Sequence, residues 1–173
     1  MILVAIGSNL PGADGETPYQ CCLDAVEALS LLPGLGVAAV SRWYRSAALP
    51  RSDQPDYING VVRLEANPGL QEPDPAVLLA SLQAIEKAGG RQRSVANAAR
   101  TIDLDIVAMG PDGSLLRDAP DPVLPHPRAH LRAFVLLPVR DVAPHWSEPR
   151  SGLGVADLIG RLPPEDIALF CPE

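Results

Sequence analysis

Arg100-Thr101-Ile102-Asp103-Leu104-Asp105-Ile106-Val107 alternates apolar and charged residues with a period of two. That is the pattern of a half-buried β-strand: Ile102, Leu104 and Ile106 point into a core, and both carboxylates project from the opposite face. Residues two apart on a strand stand roughly 6.5–7 Å apart. Two aspartates held side by side repel each other, and aspartate is depleted in strands. A hard divalent cation such as Mg²⁺, which takes one or two carboxylates together with phosphate oxygens and water, would relieve that cost. The alternative is an edge strand whose outer face simply carries solvated charge, and the strand pattern alone leaves both readings open.

Five further segments precede this strand. Ile2 to Ile6 is a short apolar run closed by Gly7-Ser8-Asn9, a buried strand followed by a turn. Thr17 to Leu31 is expected to be a helix with Leu23, Val26, Ala28 and Leu29 on its apolar face, stopped by Pro33-Gly34. Val37 to Tyr44 and Tyr57 to Ala66 are rich in β-branched and aromatic residues and are expected to be strands. A second helix is expected from Pro75 to about Ala88, with Val77, Leu78, Leu82 and Ile85 at helical spacing and Gly89-Gly90 at its end. The order β-α-β-β-α-β predicts an α+β, ferredoxin-like sandwich: an antiparallel sheet with both helices on one face and the other free for a site. Leu131, Phe134, Val135 and Leu136 would cover remaining apolar surface, and Val155 to Leu162 a short terminal helix.

The 173 residues suit one domain, residues 1–173, with no internal repeat or interdomain linker. Hydrophobic residues at 47% and charged residues at 20% are the balance of a soluble globular protein. A net charge of −7 argues against a general nucleic-acid or anionic-membrane partner, so a phosphate site must be a local concentration of arginine. The 19 prolines point to long ordered loops, because apolar periodic segments lie between them. Three cysteines, two of them adjacent, give neither a disulfide framework nor zinc-ligand spacing, which fits a reducing cytoplasm. No basic, apolar leader opens the chain, and no segment approaches the roughly 20 apolar residues a membrane span needs.

Arg91, Arg93 and Arg100 lie just upstream of Asp103 and Asp105. Guanidinium groups beside a cation-binding carboxylate pair suit phosphoryl transfer, where the protein mainly positions reactants and neutralises polyphosphate charge. The same arginines could instead simply pair with the aspartates. No Walker-type glycine-lysine loop is present, which excludes a P-loop fold as the source of phosphate binding. Tyr57 and Asn59 share a strand parity, placing an aromatic surface beside an amide able to read a heterocycle edge; the alternative is ordinary strand decoration. His126, between two prolines and near Arg128, His130 and Arg132, is by itself more often structural than functional.

Ala5-Ile6-Gly7-Ser8-Asn9-Leu10, Ser41 to Arg45, Asp53-Gln54-Pro55-Asp56-Tyr57-Ile58-Asn59, Gln83-Ala84-Ile85-Glu86, Gly90-Arg91, Arg100 to Ile106, Leu124 to Arg128 and Arg132 to Pro138 occur in this order. Together they resemble the 6-hydroxymethyl-7,8-dihydropterin pyrophosphokinases of folate biosynthesis, over about residues 2–144, leaving 145–173 as an additional C-terminal segment. The resemblance implies transfer of pyrophosphate from ATP to the pterin hydroxymethyl group, releasing AMP, with two Mg²⁺ ions. It implies metal binding by Asp103 and Asp105, and catalytic roles for Arg91 and Arg100 on the polyphosphate. It further implies an ATP site of Gln83, Glu86, Arg93, Ile106, His126 and Arg132, and a pterin site of Ser46, Leu49, Tyr57, Asn59 and Phe134. The expected partners are the two small molecules, with no nucleic acid or membrane, and the expected state is a cytoplasmic monomer.

Two stretches depart from the family pattern. Ala96-Asn97-Ala98-Ala99 stands where the family usually has Arg-Trp-Gly-Pro, in a slightly shortened loop, and Ser46-Ala47-Ala48 stands where Thr-Pro-Pro is common. Loop closure sequesters such reactions, so the expected consequences are weaker sealing of the pterin, slower turnover or an altered substrate. Beside an active pyrophosphokinase, the sequence leaves open a paralogue acting on another pterin-like alcohol and a non-catalytic pterin- or nucleotide-binding protein.

Overall fold

In the computed structural model, residues 1–90 and 99–172 are described. The sheet contains β1 (Ile2–Ser8), β2 (Leu35–Val40), β3 (Tyr44–Ser46), β4 (Tyr57–Ala66), β5 (Asp103–Ala108) and β6 (Ile167–Leu169). All pairings are antiparallel, in the order β5-β1-β4-β3-β6, and β2 pairs with the other end of β4. The helices are α1 (Pro18–Ser30), α2 (Pro75–Ala88), α3 (Ala133–Val142) and α4 (Val155–Gly160). The expected α+β sandwich is therefore present.

Local chemistry sets the helix ends. Thr17 and Gln20 form a capping box: Gln20 N–H donates to Thr17 Oγ1 at 3.3 Å and Thr17 N–H to Gln20 Oε1 at 2.9 Å. Asp74 accepts from Ala76 N–H at 2.8 Å, and Pro18 and Pro75 occupy the first turns, where a missing N–H costs nothing. On α1 the buried face is Cys22, Ala25 and Leu29, whereas Leu23 is exposed, because it lies about 100° around the helix from that stripe. Val77 is likewise turned outward on α2, and Leu78, Leu82 and Glu86 are turned inward.

The segment expected as one strand from Val37 to Tyr44 is broken in two. Ser41 Oγ accepts the Val61 N–H at 2.9 Å in place of a main-chain carbonyl, and the ladder resumes only at Tyr44. Beyond the break, the neighbouring aromatics Trp43 and Tyr44 face opposite sides of the sheet. Trp43 packs under β4 with Tyr19, and Phe170 packs on Tyr19 in turn. Tyr44, on the other face, donates its hydroxyl to Asp141 of α3 at 2.9 Å.

Two cores flank the sheet. Ile2, Val4, Ile6, Leu104 and Ile106 pack against α1 and α2. Leu3, Val61 and Val107 pack on the second face against Val135, Leu136 and Val139 of α3, with Leu158 of α4 behind. The second face is thus not bare: the C-terminal additions cover its β4 and β3 side and leave open a recess above β1 and β5. Leu131, expected in that cover, is exposed. The edge strand β6 had no periodic signal in the sequence; it is three residues long and forms by pairing with β3.

Two outcomes test this packing. A Cβ on Gly60 would lie 2.6 Å from the Trp43 ring, so Gly60→Ala should lower stability by about 1–3 kcal/mol in denaturant unfolding. Asp141 accepts from the Arg42 main chain and guanidinium and from Tyr44. Partial burial opposes its ionisation, but these hydrogen bonds and the Arg42 charge outweigh it and hold the carboxyl below the ordinary range. The resulting stability is present above the unfolded pKa of about 3.9 and lost as pH falls through the lower folded value. Asp141→Asn should therefore melt below the parent at pH 7, and the gap should close on acidification.

Candidate functional site

Register builds the floor of the recess. β1 lies between β4 and β5, with Gly7 opposite both Asn59 and Asp103 and Ala5 opposite both Val61 and Asp105. Cross-strand partners share a face, so carboxylates stand on one side of a low floor and the Asn59 amide on the other. The floor stays low because Gly7 and Ala5 are small; a Cβ on Gly7 would already sit 3.5 Å from Asn59 Oδ1 and 3.8 Å from the Tyr57 ring. Above this floor lies a cavity of about 230 Å³.

Its walls gather most of the residues singled out from sequence. Asp103, Asp105, Arg100 and His126 line one side, Ser46, Leu49, Tyr57 and Asn59 line the other, and Arg132 and Phe134 at the start of α3 also face it. Gln83 is exposed on α2 and does not line the cavity. Glu86 is buried and accepts the Leu104 N–H at 2.8 Å, so it ties α2 to β5. The Ile106 side chain is in the core beneath α1 and α2, but the strand parity that turns the Leu104 N–H outward also turns the Ile106 main chain to the open sheet edge. Arg91, Arg93 and the divergent stretch from Ala96 to Ala98 lie outside the described residues.

Charge in the recess is arranged in pairs. Arg100 contacts Asp103 at 2.5 Å, as one of the two sequence readings supposed. Asn9 holds Arg100 in place: its Oδ1 accepts the Arg100 N–H at 2.9 Å, its own N–H donates to the Arg100 carbonyl at 3.1 Å, and its amide donates to the Pro55 carbonyl at 3.1 Å. His126 Nε2 lies 4.0 Å from Asp105 Oδ2. The Arg128 N–H donates to His126 Nδ1 at 3.2 Å, which leaves the imidazole proton on Nε2, facing Asp105. Burial lowers the His126 pKa against the opposing pull of Asp105. Burial raises that of Asp105, and the neighbouring Asp103 adds to it, while His126, Arg132 and Arg100 act in the other direction. A second positive charge beside Asp105 would therefore be favourable.

On the aromatic side, Arg132 lies over Phe134 with its guanidinium carbon 5.4 Å from the ring centre. Burial and the charge of Arg128 lower the Arg132 pKa. The Asn59 amide donates to Ser46 Oγ at 3.0 Å and to the Tyr44 carbonyl at 3.5 Å, which turns Oδ1 towards the Gly7 floor. Sequence reasoning gave no role to Asn9, Gly7 or Arg128, the last of which also lines the cavity. The glycine-serine-asparagine turn signal and the family-like segment Ala5 to Leu10 marked the first two without giving them a role.

The donor set suits a hard cation. Among the described residues no group of three or more histidine, cysteine or acidic side chains could hold a metal. A carboxylate pair alone matches Mg²⁺ completed by phosphate and water, and does not match a structural zinc site.

The chain resembles proteins of one kind. The family model described as 7,8-dihydro-6-hydroxymethylpterin-pyrophosphokinase (HPPK) matches residues 3–144. A Pseudomonas aeruginosa protein named 2-amino-4-hydroxy-6-hydroxymethyldihydropteridine pyrophosphokinase is 40% identical over 166 residues, covering 96% of this chain and 94% of the relative. A Synechocystis protein of the same name is 42% identical over 138 residues, which is 80% of this chain and 66% of the relative. A crystal structure of Plasmodium falciparum HPPK-DHPS superposes with a TM-score of 0.65 at 11% identity, over 92% of this chain. This chain spans 42% of that longer one, and at such identity the likeness speaks for the fold alone. With the family model spanning most of its length and the Pseudomonas relative aligned almost end to end, the chain belongs to the 7,8-dihydro-6-hydroxymethylpterin-pyrophosphokinase family.

Proposed function

We propose that this protein transfers pyrophosphate from ATP to the hydroxymethyl group of 6-hydroxymethyl-7,8-dihydropterin, yielding AMP and the pterin diphosphate for folate biosynthesis. The observation that carries the reading is the single sheet row in which Asp103, Gly7 and Asn59 stand side by side. It sets polyphosphate chemistry and heterocycle recognition within one cavity. In the reaction the pterin hydroxyl oxygen attacks the β-phosphorus of ATP. The bond from that phosphorus to the oxygen bridging the α-phosphate breaks, AMP departs with that oxygen, and the hydroxyl proton passes to water.

Each wall has a part in that step. Asp103 and Asp105 would hold two Mg²⁺ ions, which would supply charge neutralisation on the polyphosphate. Arg100, anchored by Asn9, exchanges part of its Asp103 contact for phosphate oxygens as negative charge shifts towards the leaving group. His126, protonated on Nε2 and neutral, donates a hydrogen bond and does not act as a base. Arg132, at the start of α3 over Phe134, adds charge to the recess, and Arg91 and Arg93 complete the arginine set on the polyphosphate. Gln83, Glu86 and the Ile106 main chain contribute to the nucleotide side. On the opposite wall Tyr57 and Phe134 flank the pterin, and Asn59 Oδ1 accepts a ring N–H because its amide nitrogen is already committed to Ser46. Leu49 completes the apolar rim.

The cavity draws its residues from β1, β3, β4, β5 and α3 of one chain, which supports a monomer acting as a single domain. Three free thiols fit a reducing cytoplasm. Among the described residues no helix is long and apolar enough to cross a membrane.

Incubation with ATP, Mg²⁺ and the hydroxymethyl pterin should release AMP in step with pterin diphosphate; binding of both ligands with no AMP would leave a binding protein, and a clear preference for another pterin alcohol would reassign the substrate. Asp103→Ala should cut AMP release by at least about a hundredfold while the unfolding transition persists, because the side chain faces the recess. Survival of activity would refute the metal assignment. Phe134→Ala should cost about 1–2 kcal/mol of pterin binding, a rise of roughly 5–30-fold in pterin KM.

A further inference from the structure

The helix α3 begins with an electrostatic conflict. Its N-cap residue is Arg132, whose side chain makes no capping hydrogen bond and instead reaches over Phe134 in the cavity wall. A helix N-terminus carries exposed N–H groups and partial positive charge, so serine, threonine or aspartate suits the position and a cation does not. The missing acceptor arrives from 32 residues further along the chain: Glu165 Oε1 accepts the Ala133 N–H at 3.0 Å. Its other oxygen is buried without a hydrogen-bond partner among the described residues, a cost that an ordinary tail residue would avoid by turning to water. The adjoining residues grip the opposite wall. Ala47 N–H donates to the Asp166 carbonyl at 3.2 Å, and β6 pairs with β3 in a register that sets Ile167 opposite Ser46. Glu165, Asp166 and β6 lie beyond the part of the chain that the family model matches.

We propose that Glu165 is a positioning residue for both substrates: it caps α3 from a distance, which frees Arg132 at the N-cap to serve the cavity and fixes Phe134 two residues further on. The C-terminal segment is then a strap whose Glu165 end sets the α3 wall while its Asp166 and β6 end sets the β3 wall. The assignment rests on the pyrophosphokinase reading for what the cavity binds, and on hydrogen bonding alone for what Glu165 does.

Glu165→Ala removes the acceptor, and Glu165→Gln keeps a carbonyl oxygen in its place. In steady-state AMP release well below the melting temperature, Glu165→Ala should raise KM for both ATP and the pterin by about three- to tenfold and change kcat little. Glu165→Gln should stay within about twofold of the parent. A purely structural tail residue would lower the melting temperature and leave both KM values unchanged, and that result would overturn the proposal. Equal impairment of the two variants would overturn it as well, since the acceptor would not be the cause. Hydrogen exchange at the Ala133 amide in the ligand-free protein reads the cap directly: it should speed up in Glu165→Ala and not in Glu165→Gln. Unchanged exchange refutes the capping role even if the parent turns over, whereas loss of protection in a parent that releases no AMP faults only the activity reading.

Discussion

Everything in the recess depends on β1 being held between β4 and β5 in a fixed antiparallel register. Because side chains alternate with a period of two, a slip of one residue would turn Asp103 and Asp105 into the core beneath α1 and α2 and expose Leu104 and Ile106. Register is strongly specified here because both faces of β1 are buried, Val4 and Ile6 on one side and Leu3 on the other. The small residues Ala5 and Gly7 then do what larger ones could not: they keep the floor between the carboxylates and the amide open. The metal-ligand candidates and the heterocycle-reading candidate are neighbours through this strand.

An acidic chain with a net charge of −7 has to concentrate positive charge to hold a polyphosphate. The recess gathers Arg100, Arg128 and Arg132 around two aspartates, with the His126 Nε2–H facing Asp105. Arg100 is braced by Asn9 and the imidazole by the Arg128 main chain, so the donors are oriented before any ligand arrives. Burial works against both Asp105 and His126 in their charged forms, which leaves a recess poised to gain from cations and from anions that bring them.

The second face departs from ordinary helix grammar. Arginine stands where α3 needs a cap, and the fold restores the acceptor with Glu165. Asp141 at the other end of the same helix collects Arg42 and Tyr44 from the strand break. The helix that forms one cavity wall is thereby fastened to the sheet at both ends, by residues with no part in the chemistry.

Much of this was legible in the sequence for a definite reason: periodicity and caps are local. The alternation around Asp103 and Asp105, the long strand from Tyr57 to Ala66 and the helix between Pro75 and Gly89 each report a nearest-neighbour preference that packing did not override. The pairing of carboxylates with arginines and aromatics was also readable, since those residue types are costly unless used. The break at Ser41, the three-residue β6 and the burial of Cys22 in place of Leu23 were not readable, because each is decided by a partner far along the chain. The sequence by itself determined the sheet with its first helical layer, the strand faces and the chemical inventory of the site. Only tertiary structure decided that Gly7 would be its floor, Asn9 its brace and Glu165 the cap of α3, because hydrogen bonds between distant residues leave no period in the chain that makes them.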